Sequence, residues 1–93
     1  MIVGVCRLDV HLLESRSLKG KRRLIQRIKE RIKRRFNVSV AEVDNHDLWQ
    51  RATLGVCLVT TDSRFAHQVL SQVVNLVEQE ASIQLLDYEI ELR

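Results

Sequence analysis

The apolar residues of this chain change period in a fixed order, and that order leaves few folds open. Residues 2–13 alternate: Ile2, Gly4, Cys6, Leu8, Val10 and Leu12 share one face, and Arg7, Asp9 and His11 share the other. That is the two-residue period of a half-buried strand. Over 18–36 the period becomes helical. At roughly 100° per residue, Leu18, Leu24, Ile25, Ile28, Ile32 and Phe36 fall within about a 120° arc, the width of a buried stripe. Ser17 stands where its hydroxyl can accept from the free amides of the first turn, and Asn37 where the helix can end. Residues 38–44 return to a β-branched strand pattern, and 45–51 form a polar connection that carries the single Trp. The mostly apolar run 52–61 reads as a central strand buried on both sides. Thr61 or Asp62 caps a second helix that runs to about Glu80, with Phe65, Val69, Val73, Leu76 and Val77 as its stripe. Residues 83–92 alternate again, Leu86, Tyr88, Ile90 and Leu92 against Asp87, Glu89 and Glu91.

The order β-α-β-β-α-β, with right-handed crossovers through each helix, predicts an α+β fold of the ferredoxin-like type. It is a plait in which a four-stranded antiparallel sheet carries both helices on one face. The first and third strands lie at the centre, and the acidic last strand suits an edge open to water. A chain of 93 residues is read as one domain over 1–93, large enough for a modest core without metal or disulfide staples. No apolar run approaches the ~20 residues of a membrane helix, and no signal peptide fits before Ile2. Two Cys are too few for a secreted disulfide framework, so Cys6 and Cys57, on neighbouring strands, read as buried reduced thiols. The expectation is a soluble cytoplasmic protein without membrane association.

Net charge is only +3, but its distribution is lopsided. The segment 16–35 holds eleven basic residues and one acid, Glu30, for a net +10; the remainder carries −7. Lys19, Arg22, Arg23, Arg27, Lys33 and Arg34 lie opposite the apolar stripe, with Lys29 at its margin, and Lys21 joins them as a candidate phosphate contact. Such a helix suits a polyanion, most simply the phosphates of RNA, free or in the ribosome. A face of this kind engages ~3–5 phosphates, with affinity gained by counterion release. The blander alternative is a solvated face on which Glu30 pairs with Arg34 one turn away. Seven like charges over some five turns repel one another, which argues against that alternative.

Base stacking on the sheet is disfavoured, because 2–13 and 52–61 contain no aromatic residue, and Asp9, Asp87, Glu89 and Glu91 would repel a nucleic-acid backbone. Trp49, with Gln50 and Arg51, is a candidate base or partner contact, although a loop Trp more often folds back over the end of a core. His11, His46 and His67 are scattered, and Asp44, His46 and Asp47 resemble an ordinary polar loop. No phosphate loop or nucleophile elbow is present, so no catalytic residue, metal or cofactor is expected and the chain reads as a non-enzyme. The alternative function is protein interaction or homodimer formation. It would use an open sheet face made apolar by Val3, Val5, Val38 and Val40, or dock the basic helix on a neighbour's acidic body.

Three segments together resemble the YlxP-like family of small bacterial proteins: Ser-Leu-Lys-Gly-Lys-Arg (17–22), Phe-Asn-Val-Ser-Val-Ala-Glu-Val-Asp (36–44) and Asp-Leu-Trp-Gln-Arg-Ala-Thr-Leu-Gly (47–55). The closing Leu-Leu-Asp-Tyr-Glu-Ile-Glu (85–91) is similar too. Gly20 departs from the family pattern, where an acidic residue is more usual. The resemblance implies a ferredoxin-like fold and an unassigned function. Family members often lie beside genes for translation initiation and ribosome maturation, which implies RNA or ribosome work by association. It supplies no catalytic residue.

Overall fold

A computed structural model describes residues 1–93. Its elements are β1 (Ile2–Leu12), α1 (Leu18–Arg35), β2 (Ser39–Asp44), β3 (Arg51–Thr60), α2 (Ser63–Glu78) and β4 (Ile83–Leu92). The strands form one antiparallel sheet in the order β2-β3-β1-β4, the ferredoxin-like plait expected from the periodicities. No helix is long and apolar enough to cross a membrane.

The core is built from matching parities. Cys6, Leu8 and Val10 of β1 stand opposite Val56, Leu54 and Ala52 of β3, and all point into the layer beneath the helices. Ile25, Ile28 and Ile32 of α1 meet them, as do Ala66, Leu70, Val73, Val74 and Val77 of α2. At Gly4 the second helix comes close to the sheet; a Cβ there would lie 3.0 Å from Leu70 Cδ1. Ser17 caps α1 by accepting from the Gly20 amide at 3.0 Å. Asp62, not Thr61, caps α2, accepting from Arg64 N at 2.9 Å and Phe65 N at 3.4 Å. Phe36, extended, is the C-cap of α1, so Asn37 lies beyond it.

Five expectations need correction. Leu18, assigned to the buried stripe, is 40% exposed. The strand β3 is not buried on both sides: Gly55, Cys57 and Val59 face the open side, with Val59 65% exposed. Because Val5 pairs with Cys57 and Cys6 with Val56, the two thiols point to opposite faces of the sheet and do not approach each other. Val40 and Val38 pack toward the core, so they add nothing to an apolar open face, which is left to Val3, Val5 and Val59 and to Val43 lying over Gly55. The alternation of β4 is also interrupted. A register shift beside Asp9 and Val10 turns Leu85 and Ile83 inward and leaves Leu86 exposed.

Burial pushes the Cys6 thiol up to about 11, against a small lowering by Arg7. Since the thiolate is the nucleophile, Cys6 is inert at neutral pH. An alkylating reagent at about pH 8 is therefore expected to modify Cys57 in the folded protein and Cys6 only after denaturation, as read by peptide mass spectrometry. Equal labelling of both in the native state would contradict this burial.

On the open face, Arg7 gathers the carboxylates that sequence placed there. It pairs with Asp9 and lies 3.5 Å from Asp87 and 3.6 Å from Glu89. Partial burial by itself would raise the Asp9 carboxyl. The hydrogen bond from Thr53 Oγ1 and the pairing with Arg7 outweigh it, and the net shift is downward. Stability from this cluster is thus present above the ordinary carboxylate range and lost as pH falls through the lowered value.

Candidate nucleic-acid interface

Three connections meet at one end of the plait: the β1–α1 turn, the β2–β3 connection and the α2–β4 turn. Leu12 N donates to Gln50 O at 2.8 Å, and Leu13 N donates to Ser82 O at 3.1 Å. Asn45 adopts φ 62°, the left-handed conformation that Asn tolerates better than most residues. Its side chain donates to Thr53 Oγ1 at 2.9 Å, and Thr53 in turn donates to Asp9 Oδ1 at 2.8 Å.

Lys21 ties α1 to this end, and it does so by turning inward. It is 1% exposed, the most voluminous fully buried side chain of the domain. Its ammonium donates to the carbonyls of Asn45 at 2.6 Å and Leu48 at 2.5 Å, with His46 O farther off at 3.4 Å. Glu42 Oε2, itself buried and without any other partner, lies 2.8 Å away. Lys21 is therefore a structural staple and is removed from the candidate phosphate contacts. A buried ammonium with four acceptors has no proton left for a ligand.

The other candidates stay at the surface. Lys19, Arg22, Arg23, Arg27, Lys33 and Arg34 are exposed and Lys29 is half-buried. None of these seven forms an ion pair; on α1 only Lys21 and Arg31 do, Arg31 with Glu80. Glu30, which the blander alternative paired with Arg34, accepts from Gln26 at 3.3 Å. The last turn holds Lys33, Arg34 and Arg35, a favourable place for cations against the helix dipole, and Arg35 also stacks 5.5 Å from the Phe36 ring centroid. Arg22, Arg23, Gln26, Arg27 and Glu30 border a shallow basin on the outer surface.

Trp49 is 44% exposed, so it does not fold fully over the core; Gln50 and Arg51 are exposed beside it. Because Lys21 holds the neighbouring Leu48 carbonyl, this Trp is anchored to the first turns of the basic helix. Sequence reasoning did not single out Arg16 or Ser82, which share a cleft of about 380 Å³ with Arg23 and Arg27. Nothing local in the sequence connects them. At the opposite end, Phe36, Leu58, Val59, Phe65 and Val69 line an apolar groove of about 330 Å³, with Phe65 50% exposed.

Comparison with known proteins adds a family and a fold. The family model described as "Protein of unknown function (DUF503)" matches residues 3–90. The "Uncharacterized protein YlxP" of Bacillus subtilis (strain 168) is 29% identical over 77 residues, covering 83% of this chain and 84% of that protein. Among solved structures, "De novo designed protein Foldit4" is similar with a TM-score of 0.50, at 22% identity over 100% of this chain and 94% of that one. At such identity the likeness concerns the fold alone.

Proposed function

The chain belongs to the DUF503 family of proteins of unknown function, and from that premise we propose that it is a non-catalytic, cytoplasmic RNA-binding module. It holds structured RNA, free or within the ribosome, through phosphate contacts from α1. The observation that carries this reading is the set of seven surface cations on α1 without a single carboxylate partner. Outside α1, Arg7 is held against three carboxylates and Arg93 against Glu91 at 3.1 Å. Leaving one face uncompensated costs like-charge repulsion, which a polyanion relieves. Trp49 and Arg51 extend the surface at the N-terminal end of the helix, where a base freed from its stack finds an aromatic plane.

Binding of a structured RNA hairpin at two salt concentrations tests the proposal. With ~3–5 phosphates neutralised, affinity is expected to fall about 40- to 500-fold between about 50 and 200 mM salt. Absence of binding at low salt, or affinity indifferent to salt, would overturn it. The competing reading, a protein-interaction module, draws on the apolar groove around Phe65 and Val59 at the other end. Failure to bind RNA together with mass that rises with concentration would favour it.

A further inference from the structure

We infer that the cleft at the start of α1 is a site for a phosphate monoester, carried on the end of an RNA strand or on a free nucleotide. This deepens the RNA reading by naming the group that the N-terminal end of the helix takes. Three chain segments converge there: Arg16 comes from the β1–α1 turn, Arg23 and Arg27 from successive turns of α1, and Ser82 from the α2–β4 turn.

The charge of the cleft is unspent. Arg16 and Arg23 have no carboxylate partner, and Arg27 makes only a 3.3 Å hydrogen bond to the Ser82 hydroxyl. One turn farther along the same side of the helix, Arg31 is neutralised by Glu80. The arginine row is thus compensated where the cleft ends and left free where the cleft opens. Gly20 forms part of the wall, and a Cβ built there would stand only 3.3 Å from Ser17 Oγ, so a side chain here would press on the hydroxyl that caps the helix. Glycine in this first turn keeps the wall low and free of any competing side chain.

The chemistry selects the ligand. Guanidinium groups present paired N–H donors that match the oxygens of a phosphate, and three around one cavity suit a dianion better than a monoanion. A terminal phosphate carries about −1.5 to −2 near pH 7, against a single charge on an internal diester. The cleft, at about 380 Å³, has room for the phosphate and its attached sugar. Glu14 is the one carboxylate of the lining. It weakens binding of bare phosphate and accepts from a sugar hydroxyl.

The test is a titration of the full chain with a nucleoside monophosphate, its nucleoside and inorganic phosphate, followed by amide chemical shifts. The monophosphate is expected to shift Gly20, Arg23 and Ser82, and the nucleoside to leave them unmoved. Arg23→Ala, on the surface and harmless to the core, should lower nucleotide affinity about ten- to a hundredfold. Arg64→Ala, an exposed cation on α2 outside the cleft and the phosphate-contact set, should leave it unchanged, and Glu14→Gln should tighten inorganic phosphate. RNA strands with and without a terminal phosphate separate the sources. A strong preference for the phosphorylated end assigns the site to strand termini; equal affinity assigns it to free nucleotides. Absent shifts, or shifts that survive in Arg16→Ala and Arg23→Ala alike, overturn the site while leaving salt-sensitive RNA binding intact. Nucleotide binding without any RNA affinity does the reverse.

Discussion

Replacing Lys21 with Ala is expected to cost about 3–5 kcal/mol of folding stability, the loss found when one partner of a buried ion pair is removed. The reason lies with the partners more than with Lys21. Glu42 keeps a buried carboxylate oxygen whose sole counterpart is the Lys21 ammonium at 2.8 Å, and the substitution leaves that charge uncompensated. The carbonyls of Asn45 and Leu48 lose a donor at the same time. A domain with roughly 5–15 kcal/mol of stability would lose at least about a fifth of it, with its midpoint lowered by at least about 12 °C at 4–8 °C per kcal/mol. Urea denaturation of Lys21→Ala, Glu42→Gln and the pair Lys21→Met with Glu42→Leu checks the assignment. The double substitution should lose less than Lys21→Ala alone, because it removes both charges from the interior. A loss under about 1 kcal/mol for Lys21→Ala would mean an ammonium still solvated, and would return Lys21 to the phosphate-binding set.

This residue also marks where sequence and structure part. On the helical wheel Lys21 falls at the centre of the arc defined by Leu18, Leu24, Ile25, Ile28, Ile32 and Phe36, while Leu18, at the arc's edge, is exposed. Periodicity therefore pointed to the right position, and residue type overruled it, since Lys is seldom buried unless paired. The pairing partner carries the same signal: Glu42 follows Val40 on the inward parity of β2. Element order was legible, and so was the alternation of β1 over its second half, because Arg7, Asp9 and His11 stood at its outward positions, whereas the outward Val3 and Val5 carry no such signal. In β3 the outward residues Thr53, Gly55, Cys57 and Val59 are small or apolar, so hydropathy could not distinguish its two faces and both thiols read as buried. The displacement of Leu86 depends on a register shift in the pairing of β1 with β4, which neither strand announces alone. The basic face was legible for the same reason the helix was: it is local. The cleft was not, since Arg16, Arg27 and Ser82 are brought together only when three connections close at one end of the sheet.

Neutralising Arg23, Arg27 and Arg34 together is expected to weaken binding of structured RNA roughly a thousandfold at about 50 mM salt and roughly 25-fold at about 200 mM. The two figures differ because each lost phosphate contact also removes about 0.9 from the slope of log affinity against log salt. The variant should therefore show a slope shallower by up to about 3, and the same weakening for every RNA sequence tried, since diester contacts carry no sequence information. Folding should be unaffected or slightly improved. None of the three forms an ion pair, and their removal relieves repulsion along the helix. Ala in place of Arg64, an exposed cation on α2, is the control and should change neither affinity nor slope. The slope is the decisive readout. A triple variant that loses affinity at an unchanged slope would have lost hydrogen bonds to bases or packing against a partner, and the cations of α1 would then not be phosphate contacts. A reduced slope with Trp49→Ala still binding would assign the energy to the helix and leave the loop a minor role.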